Sequence, residues 1–301
     1  MRPRNSAVAS AALLTQSRSA VYVELTKPRI ALMVSLTVAV GFLMATNHAF
    51  ASFGMLHAVV GCFLSCCGAG ALNQYLERES DGVMARTRFR PIPAHKVSPA
   101  TGLLIGFLLS VSGVVYLASM VNALSAALDA LTILVYLGVY TPLKRVSPLS
   151  TLVGAVPGAL PPMIGWAAAT GSIAPGAWVL FAIVFLWQIP HFLAIGRMYR
   201  EDYERGGFPM LVVVDADGSA TGRQMILYAA TLVPVSTMPG PLALSGAPYC
   251  FAALMLGLSY LGFSVAAARR PTPECARRLL LCSIVYLPLL LASMLIDRLF
   301  A

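Results

Sequence analysis

Apolar stretches of about 20 residues alternate along this chain with short polar connections. A helix rising 1.5 Å per residue needs about 20 apolar residues to cross a hydrocarbon core of about 30 Å. Nine such windows stand out, at about 29–46, 54–76, 101–121, 122–140, 149–170, 176–196, 224–240, 247–268 and 278–297. The first and seventh are short, and the third and fourth nearly abut. The pattern predicts an all-α polytopic membrane protein of about nine transmembrane helices. It divides into a tail at 1–28 and a single transmembrane domain at 29–301, with nothing left over for a soluble domain.

The connections differ by charge. Of the 21 Lys and Arg residues, all but Arg298 lie in the N-terminal segment through Arg29 or in the stretches after the second, fourth, sixth and eighth windows, the last running through Arg278. The intervening connections, such as 46–53, 170–175 and 239–248, hold no Lys or Arg. By the positive-inside rule, this alternation puts the N-terminus and the basic loops in the cytoplasm. The net charge of +9 is thereby mostly topology, which removes the case for nucleic-acid binding. Only 11% of residues are charged, against about 25% in soluble domains.

The six cysteines suggest no disulfide framework. Five lie in apolar windows, where Cys62 and Cys66, one turn apart, read as small packing residues rather than soft-metal ligands. Residues 1–20 are rich in Arg, Ser and Ala, and read as a cytoplasmic tail rather than an organelle transit peptide.

Candidate chemistry enters at the end of the second window. Asn73, Glu77 and Asp81 recur every four residues, which places three oxygen ligands on one helix face over roughly 12 Å. Two carboxylates and an amide carbonyl suit a hard cation such as Mg²⁺. Arg86, Arg88 and Arg90 follow, and arginine matches phosphate geometry. Acids contribute little to membrane orientation, so interface anchoring explains this run poorly. Arg269, Arg270, Arg277 and Arg278, by contrast, need no other explanation. An apolar protein with metal ligands and phosphate-binding cations at one helix end points to a lipid-like diphosphate.

A second acidic loop, with Glu201, Asp202 and Glu204, lies four windows later on the same expected face. Asp202, with Glu201 beside it, is the candidate second metal-side set. Lys27, Arg29, Lys144, Arg145 and Arg200 add cations on that face. Two four-helix halves plus a ninth helix is a natural architecture, although the halves share little sequence. The proline-rich run 154–162 suggests a helix shaped around a ligand or a neighbouring helix.

Several runs, taken in order, resemble one family. They are Leu-Thr-Lys-Pro-Arg at 25–29, Asn73-xxx-Glu77-xxx-Asp81, and Arg86-Thr-x-x-Arg90-Pro-x-Pro. Tyr140-Thr-Pro-Leu-Lys144-Arg145, Pro161-Pro-Met-Ile-Gly-Trp166, Pro190-His191-Phe192 and Asp202-Tyr-x-x-Gly-Gly-x-Pro-Met-Leu211 follow. Over about residues 22–215 the chain resembles the heme O synthases (protoheme IX farnesyltransferases) of the UbiA-type intramembrane prenyltransferase superfamily. The ladder alone indicates only the superfamily; the Arg-Thr-x-x-Arg-Pro, Pro-Pro-Met-Ile-Gly-Trp and Pro-His-Phe runs narrow it.

The resemblance implies a Mg²⁺-dependent transfer of farnesyl from farnesyl diphosphate to the vinyl group of heme B. Water adds, diphosphate leaves, and heme O results. It implies that Asn73, Glu77 and Asp81 bind the first Mg²⁺–diphosphate and Asp202 the second. Lys27, Arg86, Arg90, Lys144 and Arg145 would pair with the phosphates, and His191 would contact heme. The implied setting is the bacterial inner membrane, with the site facing the cytoplasm. A heme A synthase or terminal-oxidase assembly is the candidate protein partner. Two departures stand out: position 77 is Glu where the superfamily usually has Asp, and Met198 stands where Asp202 would have a four-residue acidic partner.

His191 lies inside an apolar window, where a polar ring needs a partner, and a helix-packing hydrogen bond is the alternative to heme contact. Asp129, alone in the fourth window and near its outer half, reads as a packing or pore-side hydrogen bond. Other readings are a related enzyme with an aromatic acceptor and, from a different class, a transporter with broken helices. A transporter has no need of a carboxylate ladder beside an arginine cluster.

Overall fold

The structure is a computed structural model describing residues 17–46 and 52–300. The described elements are helices joined by loops and turns. They are α1 (Arg18–Thr26), α2 (Pro28–Ala45), α3 (Phe53–Leu76), α4 (Arg78–Val83), α5 (Pro99–Met120) and α6 (Ala123–Leu143). There follow α7 (Ser150–Thr170), α8 (Pro175–Met198), α9 (Arg200–Arg205), α10 (Leu211–Val214), α11 (Ser219–Thr237), α12 (Ala247–Arg269) and α13 (Pro273–Phe300).

Eight of these helices are long and apolar enough to cross a membrane: α2, α3, α5, α6, α7, α8, α12 and α13. The chain is an integral membrane protein. The expected span at 224–240 falls on α11, which begins five residues earlier and takes in Arg223 and Gln224, so it is less apolar than the rest. The first sixteen residues of the expected tail lie outside the described residues. The remainder is no loose tail: α1 buries Val21 and Leu25, and Gln74 of α3 donates from Nε2 to the carbonyls of Glu24 and Leu25 at 3.1 and 3.0 Å.

The proline-rich α7 is the most buried of the spans and packs against α2, α6 and α8. It stays one helix through Pro157, Pro161 and Pro162. A Cβ added at Gly165 would lie 1.8 Å from the Val38 carbonyl oxygen, and one at Gly41 would lie 1.9 Å from that of Pro162. The run is therefore shaped to α2, with two glycines allowing backbone-to-backbone approach, as small residues do between membrane helices. Asp129 also serves packing, accepting a hydrogen bond from Ser65 of α3 at 2.9 Å. All six cysteines are free thiols.

Both ends of the bundle agree with the charge alternation. Arg298, near the end of α13, donates to the carbonyls of Met44 and Thr46 at the end of α2. The basic loops gather at the opposite end, where α3 runs into α4.

Candidate functional site

The oxygen ladder starts inside α3 and continues through its end. The Glu77 N–H donates to the Asn73 carbonyl at 3.0 Å, and the Asp81 N–H to that of Glu77 at 2.8 Å. Helical hydrogen bonding thus persists across the junction of α3 and α4 and keeps the four-residue register. Asn73, Glu77 and Asp81 are only 4%, 2% and 0% exposed. Interface anchors look different, as exposed Arg269, Arg270, Arg277 and Arg278 do.

Buried carboxylates need partners. Lys144, arriving from the end of α6, forms an ion pair with Glu77. Arg90 donates from one terminal nitrogen to both oxygens of Asp81, at 2.9 and 2.7 Å. Thr87, between them, donates to the Asp81 carbonyl at 3.0 Å and holds the loop against α4.

Asn73 is oriented by proton bookkeeping. The Thr141 hydroxyl donates its proton to the Tyr136 carbonyl at 2.8 Å, so it accepts from the Asn73 amide nitrogen at 3.4 Å. That leaves the Asn73 carbonyl oxygen as the available atom. The Tyr136 carbonyl is offered by a wider, π-helical turn at Val135–Tyr140 within α6, a type of distortion common at functional sites. The same turn stacks Tyr136 on Tyr140, with centroids 5.8 Å apart.

Lys27 sits at the break between α1 and α2 with φ 49° and ψ 52°, a left-handed conformation unusual for a residue with a side chain. Its side chain lies over Gly70 of α3, one turn before Asn73. Burial, with the nearby Arg90 and Lys144 charges, lowers its pKa from 10.5 to about 8, partly offset by Glu77 and Asp81. Burial lowers Lys144 as well, against the pull of Glu77. Three cations and two carboxylates therefore form one cluster.

The other expected residues are placed differently. Asp202 in α9 accepts the backbone N–H groups of Ala85 and Arg86, both at 3.1 Å, and pairs with Arg205 at 2.9 Å. It fastens the arginine loop. Arg86 is exposed, 5.0 Å over the Tyr199 ring and 3.4 Å from the Tyr203 hydroxyl. Arg145 is exposed and donates to the Leu76 carbonyl at 2.9 Å, capping α3. Glu201 and Arg29 are exposed, and Arg200 donates to the Val213 carbonyl at 3.3 Å.

Sequence reasoning missed Thr141, Tyr136, Tyr203 and Phe208. Phe208 is buried, with the Lys144 ammonium 4.7 Å from its ring centre. It sits among Gly206, Gly207 and Pro209, and Gly207 takes a φ of 71° there. That turn chemistry was the one local signal available.

Residues 34–289 match the UbiA prenyltransferase family. The chain belongs to that family. Among its relatives, the protoheme IX farnesyltransferase of Solibacter usitatus (strain Ellin6076) is 45% identical over 286 residues, covering 92% of this chain and 98% of the relative. Two solved structures show the UbiA fold at low identity. One, described as digeranylgeranylglyceryl phosphate synthase, has a TM-score of 0.79 at 15% identity and covers 95% of this chain and all of its own. The other, a UbiA homolog from Archaeoglobus fulgidus bound to GPP and Mg²⁺, has a TM-score of 0.67 at 16% identity, with 91% and 99% covered.

Within this UbiA-type site, the donor set can be tested against Mg²⁺. Among the described residues, no group of three or more His, Cys, Asp and Glu is gathered to hold a metal. Magnesium is commonly held by one or two carboxylates with substrate phosphate oxygens completing its shell. Glu77, Asp81 and the freed Asn73 carbonyl fit that description. Asp202 fits a second ion less well, because its oxygens already serve three donors.

Proposed function

We propose that this chain transfers the farnesyl group of farnesyl diphosphate to a vinyl group of heme B, giving heme O. The likeness to a relative named protoheme IX farnesyltransferase supports the choice of substrates. The observation that carries the chemistry is the charge cluster where buried Glu77 and Asp81 meet Lys144, Arg90 and Lys27. Such a cluster takes a diphosphate and helps it leave.

Asn73, Glu77 and Asp81 would hold Mg²⁺, an assignment supported by their oxygen chemistry and by the Archaeoglobus homolog bound to GPP and Mg²⁺. The ion, when bound, would neutralise the diphosphate as the allylic C–O bond breaks. Lys144 and Arg90 would pass from the carboxylates to phosphate oxygens, with Lys27 completing the cradle. Arg86 and Arg145 lie farther out and would meet the substrate on its way in. The Tyr136–Tyr140 stack would present aromatic faces to the developing cation. The vinyl carbon attacks the farnesyl C1, water adds to the resulting cation, and one proton is released with diphosphate.

The basic face carries this pocket, so the reading puts it on the cytoplasmic side of a bacterial inner membrane. His191, in α8, is the residue proposed to meet heme. Mass spectrometry of heme after incubation of membranes with heme B, farnesyl diphosphate and Mg²⁺ tests the reaction. A farnesyl-plus-water mass gain that vanishes in Asp81→Ala membranes is expected. Unmodified heme, with an aromatic acceptor prenylated instead, would transfer the assignment to another acceptor class.

A further inference from the structure

His191 sits on α8 one turn after Trp187, and both side chains reach across to Ser283 of α13. The His191 Nδ1 lies 2.7 Å from the Ser283 hydroxyl. The Trp187 indole N–H donates to the Ser283 backbone carbonyl at 2.9 Å, and the two rings stack with centroids 4.9 Å apart. The Tyr260 hydroxyl, from α12, donates to the Trp187 carbonyl at 3.0 Å. The imidazole is thus held at its edge by Ser283 of α13 and on one face by Trp187 of its own helix, whose indole is itself tied to α13.

The direction of the short contact can be worked out. A serine hydroxyl has one proton, and the Ser283 hydroxyl directs it to the Leu280 carbonyl at 2.6 Å. Its oxygen therefore accepts from His191, and the proton on the ring sits at Nδ1. Nε2 then carries a lone pair, and among the described residues it makes no hydrogen bond. A neutral imidazole with Nδ1–H bound to an acceptor and a bare Nε2 is the form in which histidine ligates iron. A packing contact alone would be served equally by either tautomer and would need no second ring clamped beside it.

We infer that Ser283 is a positioning residue for heme: by accepting from Nδ1–H, it fixes His191 in the tautomer and orientation that offer Nε2 to the heme iron, with Trp187 holding the ring plane. This rests on the heme reading above. It assigns to α13, far in sequence from the diphosphate pocket, a part in presenting the acceptor substrate. No bond forms or breaks at Ser283.

The test is titration of ferric heme b into the purified full chain in detergent, followed by absorbance and resonance Raman for an iron–histidine band. The unsubstituted chain is expected to give a histidine-ligated spectrum, and His191→Ala to lose it. Ser283→Ala should weaken heme binding about tenfold, the usual size of losing a partner behind a metal-ligating histidine. It should also shift or broaden the iron–histidine band. Ser283→Thr, which keeps an oxygen there, should restore both. Ser283→Ala binding heme with unchanged affinity and band would overturn the role of Ser283 while leaving heme as the acceptor. A spectrum unaffected by His191→Ala would overturn the inference together with the assignment of His191. Farnesyl transfer to heme measured in parallel would show whether the heme reading survives.

Discussion

Arg90 holds both oxygens of the Asp81 carboxylate through one terminal nitrogen, and Asp81 has no exposed surface at all. Removing the arginine strands a buried charge. Arg90→Ala should lower stability by about 3 kcal/mol and cut turnover by about two orders of magnitude. Arg90→Lys keeps the charge but has a differently shaped, more strongly hydrated head, and should fall between. Thermal melting in detergent and product formation measure the two effects; an unchanged melt for Arg90→Ala would contradict the pairing.

The carboxylates proposed for the metal already hold side-chain cations, Lys144 on Glu77 and Arg90 on Asp81. A diphosphate offers those cations a better partner and brings oxygens for the ion. Metal and diphosphate should therefore bind with positive coupling. Mn²⁺ titrated by electron paramagnetic resonance should bind at least about tenfold more tightly when a non-reacting farnesyl diphosphate analogue is present. The analogue should gain by the same factor from Mn²⁺. Equal Mn²⁺ affinity with and without the analogue would count against the exchange. Chelation of divalent ions should abolish product formation.

Lys27 should give a pH dependence. Its pKa lies near 8 rather than 10.5, so it is charged at pH 7 and loses its proton as pH rises through 8. The proposed phosphate contact needs the charged form. KM for farnesyl diphosphate should accordingly rise between pH 7 and 9.5, by up to about tenfold, the worth of a 1.4 kcal/mol contact. In Lys27→Arg the guanidinium stays charged throughout, so the rise should disappear or move to higher pH. The same rise in both proteins would exclude Lys27 as its source.

Asp202 should matter through the loop it fastens. Asp202→Ala frees the Ala85 and Arg86 N–H groups. Trypsin should then cut more readily after Arg86 and Arg88, and KM for the diphosphate should rise about tenfold. Asp202→Asn, which keeps one acceptor oxygen, should show part of each effect. Loss of turnover with an intact, trypsin-resistant loop would instead favour a direct role on a second metal.

Features that repeat locally could be read directly from the chain. Apolar runs gave the spans, and a four-residue recurrence gave Asn73, Glu77 and Asp81 their common face. Partners that meet only in space were hidden. Lys144 and Arg145 are neighbours in sequence, yet the end of α6 turns one into Glu77 and the other onto the carbonyl of Leu76. Asp202, in the second acidic loop, is expected to serve a second metal; what the sequence hides is that its oxygens also meet the Ala85 and Arg86 amides and Arg205. Ser283 carried no signal, since a serine in an apolar helix normally bonds its own backbone. Span 224–240 was the least secure, because polar residues run into its first turns and α11 starts before the apolar stretch does.

The bond between Asp202 and the Arg86 amide joins residues 116 positions apart. A chain is synthesised from its N-terminus, so Asn73, Glu77, Asp81 and Arg90 are made well before α9 exists. Until then the arginine loop lacks the carboxylate that holds two of its amides. A truncated or half-inserted chain would carry every residue of the ladder and still present an unfastened pocket. Late completion of this one contact reserves the tightest hold on the proposed diphosphate for the finished bundle.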